Sequence, residues 1–393
     1  MSGSRDFIPA LPTLWPHMLW QQGAPPGLLP FCAPGARFVY FARNAVWLSV
    51  KLFGLEGGEV LVPAYHHGVE IEALADAGAV PVFYRVGSRW DVDVEDVERR
   101  IGPRTRALYL IHYAGFPGPA EAMRSLADRH RLPLIEDCAL SLLSSDGERP
   151  LGSTGDMAVF CLYKTLPVPH GGALVTNRRG FGLPVLPRPP WTSTASHLAS
   201  SLLQNLELRA GAWGQKVRAA VRLLGRRVVG ASGVERVATG TQHFDRAHVD
   251  LGISPLTMRI AHAQNLAGII ETRRRNYFFL MGRLREVAPA LFHELPAGVC
   301  PLFFPLRVRD KAEVMARLRA QGIESVDFWR HFHPACDASR FPEAAALRRE
   351  VLEIPCHQDL SPEAMDKVAS AVKDAVSDRR TASPWRSFGA PHR

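Results

Sequence analysis

The chain has 393 residues, 47% hydrophobic and 22% charged. That is enough apolar material to bury a full core and too little charge for a disordered chain, and the length suits two domains or one large domain with an appendage. Forty-seven Lys and Arg against 38 Asp and Glu leave a net charge of +9, which permits contact with phosphates, nucleotides or anionic surfaces without choosing among them.

The first 36 residues are rich in Pro and Gly with Trp15, Trp20 and Phe31 interleaved, which reads as an irregular lead-in that packs on something. From Phe38 short apolar runs alternate with amphipathic ones. Strands are expected over 60–63, 80–84, 107–112, 132–136 and 158–162, and helices over 46–53, 69–77, 94–101 and 120–130. Strands that are mostly apolar rather than alternating indicate a parallel sheet buried on both faces, hence an α/β domain whose ligand chemistry sits at the carboxyl ends of the strands.

Beyond Asn177 a Pro-rich stretch leads into a run of Leu, Ala and Arg over 196–230. Leu198, Leu202, Leu206, Trp213, Val217, Val221, Leu224 and Val228 recur at helical spacing with arginines between them, as in a basic amphipathic helix or a helical pair. Residues 209–275 hold twelve basic and four acidic side chains, which is +8 of the +9. Such a segment suits either peripheral contact with an anionic membrane or a helical insertion packed on the protein. Pro301, Phe303, Phe304 and Pro305 then open a second α/β-like unit, with a helix over 312–321, a strand near 323–326, a closing helix over 362–376 and a basic, disordered tail.

Four elements of the first half are explained together by an aldehyde phosphate held through a lysine. The run Leu134-Ile135-Glu136-Asp137-Cys138 is an apolar strand ending in acids, and a carboxylate there needs a cationic partner such as a protonated ring nitrogen or an arginine. Lys164 ends another apolar strand, where partial desolvation frees an amine to act as a nucleophile. Arg43 and Asn44 precede a helical run whose exposed N–H groups suit a phosphate, although Asn44 as a plain helix cap accounts for the same residues. His66 and His67 follow a strand end, where a flat ring can stack on an aromatic cofactor. Adjacent histidines in such a turn diverge, and no third ligand stands at metal spacing, so no metal is expected.

These residues carry a family resemblance. Val62-Pro63-Ala64-Tyr65, His112-Tyr113-Ala114-Gly115-Phe116-Pro117, Ile135-Glu136-Asp137-Cys138-Ala139, Gly152-Ser153-Thr154-Gly155-Asp156, Lys164 and Gly171-Gly172-Ala173-Leu174-Val175-Thr176-Asn177 stand in one order. In that order they resemble the DegT/DnrJ/EryC1/StrS family of pyridoxal-phosphate-dependent sugar aminotransferases. The resemblance implies the type I aminotransferase fold: a large, mostly parallel-sheet domain over 37–295 with a helical insertion at about 191–245, a small C-terminal α/β domain over 296–376, and a tail over 377–393. It implies pyridoxal 5'-phosphate as cofactor, Lys164 as Schiff-base lysine and Asp137 as partner of the pyridinium nitrogen. It further implies His67 against the ring, Arg43, Asn44 and Ala45 at the phosphate, and Cys161 where the family often has a phosphate-binding serine.

The implied reaction moves an amino group from an amino acid, L-glutamate being usual, to a keto-sugar linked to a nucleotide, in a homodimer. Alternatives within the resemblance are a same-fold dehydratase or lyase, for which His170 is the residue to watch, and a non-catalytic scaffold. The sequence departs from the family pattern at Leu140, where a glutamine or histidine is usual. It departs again at Pro169-His170-Gly171-Gly172, and at 252–257, where the family's neighbouring subunit commonly supplies an asparagine and an arginine to the phosphate.

Six cysteines lie scattered without a CxxC pair, which suits a reduced cytoplasmic protein. No charged segment followed by an apolar run opens the chain, and no run of about 18 apolar residues occurs, so neither a secretory leader nor a spanning helix is expected. The basic run matches no nucleic-acid-binding module, so no nucleic-acid partner is expected.

Overall fold

The computed structural model describes residues 7–178, 182–232, 244–287, 291–327 and 329–377, so the expected tail lies almost wholly outside the described residues. Strand β1 (Ala36–Val39) and helix α1 (Ala42–Phe53) are followed by β2 (Glu59–Pro63), α2 (Val69–Asp76), β3 (Val80–Tyr84) and α3 (Val94–Arg100). Next come β4 (Thr105–Ile111), α4 (Ala120–His130) and β5 (Leu134–Cys138). A short hairpin of β6 (Ser145–Asp146) and β7 (Arg149–Pro150) precedes β8 (Met157–Cys161) and β9 (Gly172–Thr176). Three helices follow, α5 (Trp191–Ser232), α6 (Pro255–His262) and α7 (Leu266–Leu284). The C-terminal unit comprises β10 (Phe303–Arg307), α8 (Lys311–Ala320), α9 (Pro342–Glu350), β11 (Val351–Pro355) and α10 (Pro362–Val376).

Seven strands form one sheet in the order β1-β9-β8-β5-β4-β2-β3. From β3 to β8 neighbouring strands are parallel, while β9 and β1 close the edge antiparallel. Val60, Leu61 and Val62 are wholly buried, as are Leu108 to Leu110, which is why these strands read as unbroken apolar runs. Each such side chain contributes about 1.5–3 kcal/mol of burial. Chain direction across the sheet reverses between β2 and β4, the switch point at which open α/β sheets leave a crevice.

Some boundaries differ from expectation for local reasons. Strand β5 starts two residues late because Arg131 takes a left-handed conformation (φ 54°) at the end of α4 and the Leu132 N–H bonds back to the Ala127 carbonyl, finishing the helix. Helix α1 starts at Ala42, so Asn44 lies inside it and is no cap; Phe41 precedes the helix without any side-chain cap bond. The strand expected near 323–326 reduces to two bridges, Ile323 with Ile8 and Val326 with Glu353. Regular pairing in that unit comes from β10 with β11 instead.

The run expected to be helical is α5, and it breaks at Gly211, whose φ of 51° and ψ of −128° are a conformation glycine alone adopts readily. A Cβ at Gly214 would lie 2.5 Å from the Leu206 carbonyl oxygen, so the two halves of α5 fold sharply against each other there. Among the described residues no helix is long and apolar enough to cross a membrane.

Candidate active site

Strand register decides which side chains reach the crevice. Ile111 pairs with Asp137 and Asp137 with Val159, so the three stand side by side on one face at the carboxyl edge of β4, β5 and β8. All three line a cavity of about 500 Å³. The adjacent acid Glu136 falls on the opposite face, wholly buried. It meets His112 at 2.9 Å and accepts the N–H groups of Gly152 and Thr154. Although burial pushes the Glu136 carboxyl up, the hydrogen bonds from His112 and the loop hold it below its ordinary value. The acid pair thus divides into one structural and one cavity-facing carboxylate.

Asp137 is 6% exposed and accepts a 2.6 Å hydrogen bond from Tyr109 Oη and a 2.8 Å bond from the Ala139 N–H. Burial raises its carboxyl above the ordinary value, against the pull of those donors and of Lys164. Lys164 is half-buried in the turn between β8 and β9, where Thr165 and Leu166 donate back to the Leu162 carbonyl. The carbonyl of its neighbour Thr165 is held by Arg273 Nη2 at 3.2 Å and by Gln358 Nε2 at 3.0 Å. Arg273, in α7, is itself wholly buried and also donates to the Pro301 and Leu302 carbonyls.

His67 lies on the cavity wall, whereas His66 turns away, its ring bonded to the Pro63 carbonyl and to the His333 N–H. Burial first, then the charges of Lys164, Arg348 and Arg43, push His67 down to about 3, so it presents a neutral ring. Its turn is locked by Glu70, whose carboxylate accepts the His67 N–H at 2.7 Å and the Gly68 N–H at 3.1 Å. Glu70 also lines the cavity, and burial together with nearby Asp137 raises it to about 7.

Arg43 is 8% exposed on the second residue of α1, its guanidinium 4.1 Å from the Phe41 ring centroid. Among the described residues no carboxylate stands within ion-pair distance of it, and burial lowers its affinity for the proton. Gly172 makes this placement possible: a Cβ there would lie 2.5 Å from the Ala42 nitrogen, so only glycine lets α1 begin against β9. Cys161 is buried on the same wall with its thiol pushed up by burial.

The structure therefore gathers Lys164, Asp137, His67, Arg43 and Cys161 around one cavity. Asn44 and Ala45 do not line it. Asn44 donates to the His248 carbonyl, and Ala45 is wholly buried in the apolar core. His170 does not line it either, since its Nε2 lies 3.2 Å from Ser254 Oγ and 3.1 Å from Thr257 Oγ1.

The sequence reading missed Tyr109, Glu70 and Arg273. Tyr109 sits in an apolar strand, Glu70 looks like an ordinary acid in the first turn of a helix, and Arg273 is one of three consecutive arginines. The 196–230 segment, expected to touch a membrane or to pack on the protein, also reaches the crevice. His197, Ser200, Ser201 and Gln204 of α5 form one wall of the cavity, together with Ala10 to Pro12 of the lead-in.

A buried cation at a helix start, with no carboxylate in ion-pair distance among the described residues, fits a phosphate. A neutral histidine fits a stacked ring, a buried carboxylate fits a protonated ring nitrogen, and an amine at a strand end fits an aldehyde. Pyridoxal phosphate is one molecule with all four features, and the fold and cavity together define an α/β protein built on the type I aminotransferase plan. Two solved structures share that fold over 94% of this chain and 99% of theirs. They are the aminotransferase TlmJ from Streptoalloteichus hindustanus, with TM-score 0.66 and 22% identity, and the PLP-form of Spr1654 from Streptococcus pneumoniae, with TM-score 0.67 and 16% identity.

The chain belongs to the DegT/DnrJ/EryC1/StrS aminotransferase family, whose model matches residues 41–180 and 257–373. The cofactor of that family is pyridoxal phosphate. GDP-perosamine synthase of Vibrio cholerae is 34% identical over 34% of this chain, which spans only 37% of that protein. UDP-N-acetyl-3-dehydro-alpha-D-glucosamine 3-aminotransferase of Acidithiobacillus ferrooxidans is 24% identical over 87% of this chain and 82% of that protein.

Proposed function

We propose that the protein is a pyridoxal-phosphate-dependent aminotransferase that moves an amino group from an amino acid, L-glutamate, to a keto-sugar carried on a nucleotide. The observation that carries this reading is the convergence of Lys164, Asp137, His67 and Arg43 on one cavity. When bound, the cofactor supplies an electron-withdrawing ring that makes the substrate's carbon acidic.

The chain's own residues do the rest. Arg43 and the start of α1 hold the phosphate, His67 lies against the ring face, and Asp137, fixed by Tyr109, keeps a negative charge at the ring nitrogen. Lys164 supplies the amine that binds the aldehyde, and its Nζ moves the proton at the reacting carbon. Because Arg273 and Gln358 fix the carbonyl next to it, that amine swings from a rigid turn. The inward face of His170 toward Ser254 and Thr257 favours Lys164 over His170 as the acting base, and hence amino transfer over dehydration.

The test is a spectrum of the purified protein. Absorbance near the visible edge is expected, falling when L-glutamate is added and absent in Lys164→Ala; a colourless wild type overturns the reading. Acceptors to be tried are those named by relatives of this chain: UDP-N-acetyl-3-dehydro-glucosamine, dTDP-4-dehydro-2,3,6-trideoxy-glucose and 2-deoxy-scyllo-inosose. The return of the absorbance marks acceptance.

A further inference from the structure

The family match leaves residues 181–256 uncovered, yet this stretch reaches the cavity. His197, Ser200, Ser201 and Gln204 fall three, four and seven residues apart, so they share one face of the first half of α5, and that face is the one turned to the site. Behind it, Leu198 and Leu202 pack on the buried cluster formed by β8, β9 and α6. The helix is therefore seated by its apolar side with a polar row facing inward.

The row is tied in place from outside the helix. Ser201 Oγ accepts the Leu14 N–H at 3.1 Å, and Asn205 Nδ2 donates to Thr13 Oγ1 at 2.9 Å. Thr13 in turn donates from both its N–H and its hydroxyl to Asp359 of the C-terminal unit, at 2.7 and 3.0 Å. One segment of the lead-in thus ties α5 to Asp359, whose neighbour Gln358 holds the Thr165 carbonyl beside Lys164.

The chemistry of the row selects its ligand. Hydroxyl and carboxamide groups each donate and accept hydrogen bonds without carrying a charge, and an imidazole adds ring nitrogens, a set that matches ring hydroxyls, which also donate and accept. Of the cavity's cations, Arg43 and Lys164 are engaged by the proposed cofactor and Arg330 stands on the C-terminal unit, so the α5 row itself offers a diphosphate no lysine or arginine. We propose that His197, Ser200 and Gln204 form the subsite that reads the hydroxyl pattern of the acceptor's sugar ring. The insertion would then supply, within one chain, specificity determinants that lie outside the matched family core. This rests on the aminotransferase reading above and deepens it.

The experiment separates the two half-reactions in the holoenzyme. Ser200→Ala, Gln204→Ala and the double variant are loaded with pyridoxal phosphate, reacted with L-glutamate, and then given the three keto acceptors named above. Acceptor kcat/KM is expected to fall about tenfold in each single variant and about a hundredfold in the double, mainly through KM. The glutamate half-reaction is expected to move less than twofold.

A second readout is independent of turnover. In a Cys32→Ser background, Gln204→Cys is alkylated by iodoacetamide, and an accepted keto-sugar is expected to slow the modification at position 204. Unchanged acceptor kinetics, an equal loss in both half-reactions, or labelling that no acceptor slows each overturns the proposal. A wild type that reacts with glutamate but takes none of the three acceptors overturns the sugar-ring subsite alone. A colourless wild type overturns the aminotransferase reading together with it.

Discussion

The strand-end crevice and the helical insertion build opposite sides of one cavity by different means. At the crevice every side chain is placed by sheet register: Ile111, Asp137 and Val159 are consecutive neighbours across three strands, and a one-residue slip would bring Glu136 into the site instead. On α5 the side chains are placed by helical spacing and by hydrogen bonds that Thr13 and Leu14 make with Asn205 and Ser201, Thr13 also donating to Asp359 of the C-terminal unit. Chemistry demands the first kind of precision, because a proton moves between fixed atoms. Recognition tolerates the second, and a segment outside the matched family blocks is where it is found.

The largest expected effect breaks the comparison at its rigid end. Lys164→Ala removes the amine at the strand end, and turnover is expected to fall by at least about 10³-fold while the visible-edge absorbance disappears. Retention of both would dissociate the crevice from the reaction. Next comes Arg273→Met. It leaves the carbonyls of Thr165, Pro301 and Leu302 without their buried donor, and the loss should be about 3 kcal/mol in chemical denaturation. A variant as stable as the wild type would show that the Lys164 turn is held by its own backbone.

The two sides were unequally legible in the sequence. Asp137 and Lys164 stand at or next to the ends of apolar runs, where an α/β sheet places its chemistry, so position along the chain made them candidates, whereas the choice of His67 over His66 came from the family resemblance. The alternative reading of Asn44 as a cap of α1 fails because Phe41 and Gly172 set the start of that helix through a backbone contact that spacing does not reveal. For α5, periodicity disclosed a helix with an apolar side, yet what its polar residues meet depends on contacts 187 and 192 residues away in sequence. Net charge misled in the same way. Arg273 belongs to the basic segment by sequence and to the wholly buried interior by structure.

Glu70 gives a pH-dependent measure of how closed the crevice is. Burial and Asp137 raise its carboxyl from 4.5 to about 7, so between those pH values the folded chain binds a proton that the unfolded chain has released. Its contribution to stability is complete below about pH 4.5 and is lost as pH rises through 7. Glu70→Gln keeps an acceptor for the His67 N–H and removes the charge. It is expected to be more stable than the wild type by about 1–2 kcal/mol at pH 8, with the gap closing towards pH 4.5. A gap independent of pH would mean that the carboxylate is solvated and the crevice more open than its geometry states.

The smallest effect sharpens the comparison inside α5 itself. Leu202, ahead of the break at Gly211, packs on the buried cluster beneath β8 and β9, whereas Trp213, just beyond it, is 63% exposed. Truncating a packed leucine removes contacts on several sides, so Leu202→Ala should cost about 1–2 kcal/mol at its half-buried position. Trp213→Ser should change stability by less than about 0.5 kcal/mol, since the solvent already covers most of the ring. Both are read from urea midpoints at two protein concentrations. If the tryptophan variant loses as much as the leucine variant, and more at low concentration, the second half of α5 is covered by another copy of the chain. The two halves would then serve as cavity wall and subunit contact respectively.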